Sequence, residues 1–273
     1  MRIWVNGGLR DADDARLSVL DHGLTVGDGV FETVKVAGGR PFALTRHLDR
    51  LTRSARGLGL TGPDHDEVRH AVATVVEANP MELGRLRITC TGGLSPLGSE
   101  RGNARPSLVV ALGEAARRPD STAVVTVPWP RNERGAVTGL KTTSYAENVV
   151  ALARAHEQGV SEALFPNTVG QLCEGTGSNV FVVLDGRIHT PPVTSGCLAG
   201  ITRALAVEWT GAQETDLPLD VLEQADEIFL TSTLRDIQAV HRVDARELPG
   251  APGPVTAKAA RLFDERAADN LDP

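Results

Sequence analysis

At 273 residues the chain has room for one large domain or two lobes, each with a full core. Its formal charge of −7, from 28 Lys+Arg against 35 Asp+Glu, argues against a surface built to neutralise nucleic-acid phosphates. Hydrophobic residues at 41% and charged residues at 23% are ordinary globular usage and exclude a disordered chain.

Apolar runs stay well short of the ~18 residues a membrane span needs, and MRIWVNGGLRDADD lacks the charged start and apolar core of a secretory signal. The expectation is a soluble, cytoplasmic protein with no membrane or nucleic-acid partner. Arg2–Val5 reads as a strand, and GVFETVKV (29–36) alternates at period two before Gly38–Gly39, predicting a hairpin with 41–43. Thr45 is placed as the N-cap of an amphipathic helix over 46–58, with Leu48, Leu51, Ala55 and Leu58 at helical spacing and Gly59 as its stop. Asp64 caps a second helix over 65–78, stopped by Asn79–Pro80, and strands follow near 85–91 and 107–112.

The polar, Pro-terminated stretch GEAARRPD (113–120) reads as a connection between lobes. The division is 1–115 for an N-terminal α/β lobe, 116–121 for the linker and 122–273 for a second lobe. In that lobe 123–127 is a predicted strand and 148–158 a helix. Residues 181–184 and 187–190 flank Asp185–Gly186, a dipeptide that favours a type I′ hairpin. Residues 201–210 and 255–268 read as helices and 228–232 as a strand. No internal repeat is present.

The three cysteines, Cys90, Cys173 and Cys197, are widely spaced and read as buried apolar groups rather than a disulfide framework or zinc site. Lysine is scarce: Lys35, Lys141 and Lys258 are the only candidates for chemistry that needs a primary amine. HExxH, GxSxG and GxxxxGK[ST] are all absent. The loop GGLSPLGSERG (92–102) has the glycines of a phosphate cradle without its lysine, leaving a pocket-shaping loop or a surface loop.

Three features outside these motifs combine. Lys141 lies at the mouth of a predicted helix among few charges, where a desolvated amine becomes a nucleophile, although a lone lysine is ordinarily solvated. Glu174 opens EGTGSNVFVV, a carboxylate entering a turn before a buried strand. Gly200-Ile201-Thr202-Arg203 starts a helix whose free N–H groups suit a phosphate, as most helix starts suit water. An amine, a carboxylate and a phosphate-ready helix start are what a pyridoxal 5′-phosphate site requires.

Taken with HLDRL (47–51), LK (140–141), EGTGSNVF (174–181), PPVTSGCLAGITR (191–203), ADEIFLTST (225–233) and GPVTAK (253–258), the sequence resembles the class IV aminotransferases, the fold-type IV pyridoxal phosphate enzymes. Branched-chain aminotransferases, D-amino acid transaminases and 4-amino-4-deoxychorismate lyases are members. The resemblance implies an α/β (α+β) fold of two lobes with the cofactor between them, and a homodimer acting on a small-molecule amine. It makes Lys141 the Schiff-base lysine and proton shuttle, Glu174 the partner of the pyridine nitrogen and Arg50 the phosphate arginine. Leu198 would back the ring, and Ile201, Thr202, Ser232 and Thr233 would complete the phosphate cup. Tyr145, the single tyrosine, either reaches the ring hydroxyl or packs.

D-amino acid transaminases resemble this chain at GDGVFETVKV but carry tyrosine at the position of Phe31 and arginine at that of Gly92. With that arginine missing, Arg235 and then Arg101 are the candidates for the substrate carboxylate. The short length and GDGxFxT pattern favour the lyase, which releases pyruvate to give 4-aminobenzoate. A transaminase of D-amino acids or other small amines is the alternative, and a catalytically silent scaffold is the third reading.

Overall fold

The computed structural model describes residues 1–103 and 105–273, and the chain divides into two units. The first comprises Met1–Arg117 together with Leu140–Ser144 and Leu271–Pro273, and the second comprises Arg118–Gly139 and Tyr145–Asn270.

The first unit contains β1 (Arg2–Val5), β2 (Gly8–Asp11), α1 (His22–Thr25), β3 (Gly29–Ala37), β4 (Arg40–Pro41), α2 (Leu44–Gly57), α3 (His65–Ala78), β5 (Leu83–Thr91) and β6 (Ser107–Glu114). Its sheet has the order β2-β1-β6-β5-β3-β4 and every neighbouring pair is antiparallel. Alternation in β3 sends Val30, Val34 and Val36 into a core with Leu48 and Leu51 of α2, and Val68 and Val72 of α3. Glu32 has the same parity, so the strand carries a carboxylate into that core.

Asp64 caps α3 as expected, its carboxylate accepting from the amides of Asp66 and Glu67. Thr45 does not cap α2. The N-cap is Ala43, in the left-handed region at φ 53° with no side-chain cap. The capping oxygen comes instead from Asp272, whose carboxylate accepts from Thr45 N at 2.8 Å and Thr45 Oγ1 at 2.5 Å. Ala43 N also donates to Leu271 O at 2.7 Å, so the last three residues complete the start of α2.

The second unit contains β7 (Ser121–Thr126), α4 (Ala146–Glu157), β8 (Glu162–Pro166), β9 (Leu172–Gly175), β10 (Asn179–Leu184), β11 (Arg187–Thr190), α5 (Ile201–Thr210), β12 (Gln213–Glu214), α6 (Val221–Gln224), β13 (Glu227–Ser232), β14 (Asp236–Val243), β15 (Arg246–Glu247) and α7 (Pro254–Asp269). The strand order is β12-β11-β10-β13-β14-β7-β8-β9, with β15 beside β14. The sheet is mixed: β7 runs parallel to both β8 and β14, and α4 is the crossover between β7 and β8. On one face Val124, Val180, Val182, Ile228 and Leu230 pack with Leu217 and Leu222. On the other Phe181 and Phe229 stack at 4.7 Å. The Asp185–Gly186 turn has φ of 49° and 74°, the positive pair a type I′ hairpin requires. Strands β8, β9 and β14 lie outside the elements the sequence pattern predicts. Among the described residues no helix is long and apolar enough to cross a membrane.

Candidate active site

Lys141 belongs to the first unit, where its segment extends the sheet: Phe31 N donates to Lys141 O at 3.0 Å and Thr143 N to Gly29 O at 2.8 Å. Lys141 N in turn donates to Ser54 Oγ at 3.1 Å. Ser54 lies one helical turn after Arg50 and two turns after His47, so α2 presents these three polar side chains as one stripe beside its apolar one. The Lys141 backbone is therefore tethered to the helix that carries Arg50. Its Nζ lies 4.5 Å from the centroid of the Phe31 ring.

Arg50 is buried, and its Nε and Nη2 donate to Glu32 Oε1 and Oε2 at 2.7 Å each, a bidentate pair. His47 Nδ1 lies 2.7 Å from Glu32 Oε2. Burial alone would raise the Glu32 carboxyl, but Arg50 and His47 outweigh it and hold the pKa at about 2. Burial depresses the His47 pKa, and the charges of Arg50 and Lys141 depress it further.

The two arginines proposed for a substrate carboxylate are found in internal ion pairs. Arg101 donates to both oxygens of Asp28 at 2.7 Å, fastening the loop 92–102. A Cβ on Gly92 would stand 2.5 Å from Asp28 Oδ2, so the position that carries arginine in D-amino acid transaminases has no room for a side chain here. Arg235, in the second unit, lies 3.3 Å from Glu162 and also donates to Gln238 and Ser161. A cation missed in the sequence is better placed: Arg87, on β5, sets its Cζ 3.3 Å from the centroid of Phe31, the ring that also meets Lys141. Residues at even spacing along β3 and β5 share a face, so Phe31 with its cross-strand neighbour Thr89 predicts this diagonal contact once the pairing is known.

In the second unit Glu174 is the penultimate residue of β9, its side chain 13% exposed. Oε2 accepts from Leu198 N at 2.9 Å, and Oε1 lies 3.1 Å from Arg131 Nε. Arg131, also missed, stacks on Phe165 at 3.9 Å. Leu198 is thus tied to Glu174 through its backbone. Two residues on, Gly200 is the N-cap of α5 with no side-chain cap. A Cβ at Gly200 would stand 2.1 Å from Asn179 Oδ1, and Asn179 Nδ2 donates to Leu198 O at 2.8 Å. With no side-chain cap on α5, its first turn, which includes Ile201 and Thr202, is of the kind that suits an anion. Ser232 closes β13, with Thr233 in the turn to β14, and Tyr145 is the half-buried N-cap of α4. The donor sets fit the cofactor's parts: an amine beside an arginine in one unit, and a carboxylate beside an uncapped helix start in the other.

Residues 29–243 match the family described as amino-transferase class IV. The chain belongs to this family. It is 33% identical to a protein from Methanocaldococcus jannaschii provisionally named a branched-chain-amino-acid aminotransferase, over 97% of this chain and 96% of that one. It is 29% identical to a D-alanine aminotransferase from Listeria monocytogenes, over 100% and 99% of the two chains. A Legionella pneumophila structure, provisionally named a 4-amino-4-deoxychorismate lyase, superposes with a TM-score of 0.88 at 26% identity, covering 93% of this chain and 97% of the other. The protein is accordingly a pyridoxal phosphate-dependent class IV enzyme of the transaminase and lyase group, with small amino compounds as substrates.

Proposed function

We propose that this enzyme is a transaminase that moves an amino group between an α-amino acid and a 2-oxo acid. The observation that carries the reading is the meeting of the Arg87 guanidinium and the Lys141 amine on the single ring of Phe31. A molecule the size of an amino acid can address both, with its carboxylate on Arg87 and its amine-bearing carbon at Lys141. Arg101 and Arg235 each neutralise a buried carboxylate, Asp28 or Glu162, whereas Arg87 meets the Phe31 ring. Removing Arg235 from Glu162 would leave a buried charge without its counter-ion.

In this reading Arg50, the Ile201 and Thr202 amides, the Thr202 hydroxyl and the Ser232–Thr233 turn hold the cofactor phosphate, and Leu198 backs its ring. Glu174 would accept the pyridine N–H, with Arg131 Nε 3.1 Å from its Oε1. When bound, pyridoxal phosphate supplies an aldehyde that captures the substrate amine and an electron-poor ring that takes up charge when the neighbouring carbon loses a proton. Lys141 Nζ removes that proton and returns one, so nucleophile and general acid–base are the same atom.

The lyase is the second reading, favoured by the close superposition on the Legionella protein. Incubation with D- and L-amino acids plus a 2-oxo acid, alongside 4-amino-4-deoxychorismate, separates the two. New amino acid without 4-aminobenzoate supports the transaminase, and release of pyruvate and 4-aminobenzoate overturns it. A homodimer is part of the proposal. Val19, Leu20 and Leu24 are exposed beside Leu94 and Leu97, the two segments joined by Ser95 N to Leu20 O and His22 N to Gly93 O. Such a patch favours burial against a second copy. Sedimentation of wild type and Leu97→Asp tests it, with a dimer that the substitution weakens as the expected result.

A further inference from the structure

The turn that follows Glu174 is built around a buried carboxylate with no part in the chemistry above. Glu162, the first residue of β8, is 3% exposed. Its Oε1 accepts from the Thr176 hydroxyl and from Gly177 N at 3.0 Å, and its Oε2 accepts from Ser178 Oγ at 3.1 Å. Arg235 Nη2 stands 3.3 Å from Oε2 and supplies the opposite charge. Three successive residues of the turn thus converge on one carboxylate.

The backbone is locked around the same point. Gly175 N donates to Ser178 O at 2.8 Å, Thr176 N to Ala163 O at 3.0 Å, and Asn148 Nδ2 to Thr176 O. A Cβ at Gly175 would stand 2.5 Å from Ser178 Oγ and 3.2 Å from Glu162 Cδ, so the turn closes tightly on Glu162. Glu174 is bonded directly to the first residue of this turn, and Phe165 opposite it in the β8 register extends the same strand that Glu162 begins.

We infer that Glu162 is a positioning residue that fixes the Gly175–Ser178 turn and thereby the aim of Glu174 at its partner. The inference rests on the reading of Glu174 as the acceptor of the pyridine N–H. A carboxylate suits this place because all three turn donors and Arg235 need acceptors, whereas an amide would present its own N–H groups to one side. Arg235 is then the counter-ion of this hub, which accounts for a cation two residues beyond the Ser232–Thr233 turn without a substrate.

The test is the 15N chemical shift of [15N]pyridoxal phosphate on the enzyme, which reports ring-nitrogen protonation, together with the cofactor dissociation constant. Wild type should show a protonated nitrogen, and Glu174→Gln an unprotonated one. Glu162→Gln and Thr176→Val should move the signal toward the unprotonated value and weaken cofactor binding roughly tenfold, the scale of one or two lost hydrogen bonds. Thr176→Val keeps the Glu162 charge and removes one donor, so it separates the position of the turn from its electrostatics. It also carries the decision should Glu162→Gln fail to fold. A general loss of stability would lower Tm without moving the nitrogen signal. If Glu174→Gln shifts the signal while folded Glu162→Gln and Thr176→Val match wild type, the positioning role is overturned and the Glu174 reading stands. If Glu174→Gln leaves the signal unchanged, the reading of Glu174 fails first.

Discussion

His22 Nδ1 lies 2.9 Å from Asp28 Oδ2, and its Nε2 lies 3.0 Å from the carbonyl oxygen of Gly98. An ionised carboxylate and a carbonyl are both acceptors, so both ring nitrogens must donate and the ring is an imidazolium. The Gly98 carbonyl and then the Asp28 carboxylate raise the His22 pKa. Burial would raise the Asp28 carboxyl, but Arg101 and His22 prevail and hold it below its ordinary range.

The loop 92–102 is therefore held by a proton. A raised histidine pKa contributes stability that is complete below the unfolded value of about 6.5 and disappears as pH climbs through the folded value. Amide exchange over 94–102, corrected for its intrinsic pH dependence, should accelerate from pH 6 to 9 in wild type. His22→Gln should exchange fast throughout. Equal protection across that range in wild type would remove the imidazolium from the account.

Glu32→Gln should cost about 3–5 kcal/mol of stability, the scale for leaving a buried charge unpaired, because Arg50 would lose its bidentate partner. The depressed Glu32 pKa contributes stability present above the ordinary value of 4.5 and lost as pH falls toward about 2. Acid unfolding of wild type should therefore steepen in that window, and the Gln variant should lack this component. Urea titrations at pH 7 and pH 3 measure both effects.

Much of this frame is legible in the sequence. Asp64 capped its helix, Asp185–Gly186 turned its hairpin and Gly200 opened α5, since each is decided by neighbours within a few residues. Local pattern fails at Thr45 because the capping carboxylate, Asp272, is 227 residues away. Strand β14 escaped for a related reason. Gln238 is fully buried in its middle, satisfied by donating to Pro119 O and accepting from Arg235, so the polar letter hid a central strand. For the site, Lys141, Glu174 and Arg50 stood out as residue types within motifs. Arg87 and Arg131 did not, because an arginine's significance lies in what faces it across the fold.

Asp272→Ala should fray the start of α2 and cost ~1 kcal/mol, as for loss of an N-cap. The expected signature is faster exchange at Thr45 and Arg46 with little change elsewhere. Normal protection there would mean that the left-handed Ala43 start needs no carboxylate.

Arg87→Gln should raise the substrate KM about tenfold to a hundredfold, the loss of a charge-assisted hydrogen bond of about 1.5–3 kcal/mol, with cofactor affinity unchanged. Arg101→Gln and Arg235→Gln should act through stability, since their partners are Asp28 and Glu162. A normal KM for Arg87→Gln would return the carboxylate to another donor.

Lys141 is the residue expected to bond the cofactor. Borohydride reduction of the holoenzyme followed by peptide mass mapping measures this directly. The reduced cofactor mass should fall on the peptide containing Lys141, and Lys141→Ala should carry none. A label on Lys35 or Lys258, or a fully labelled Lys141→Ala protein, would contradict it.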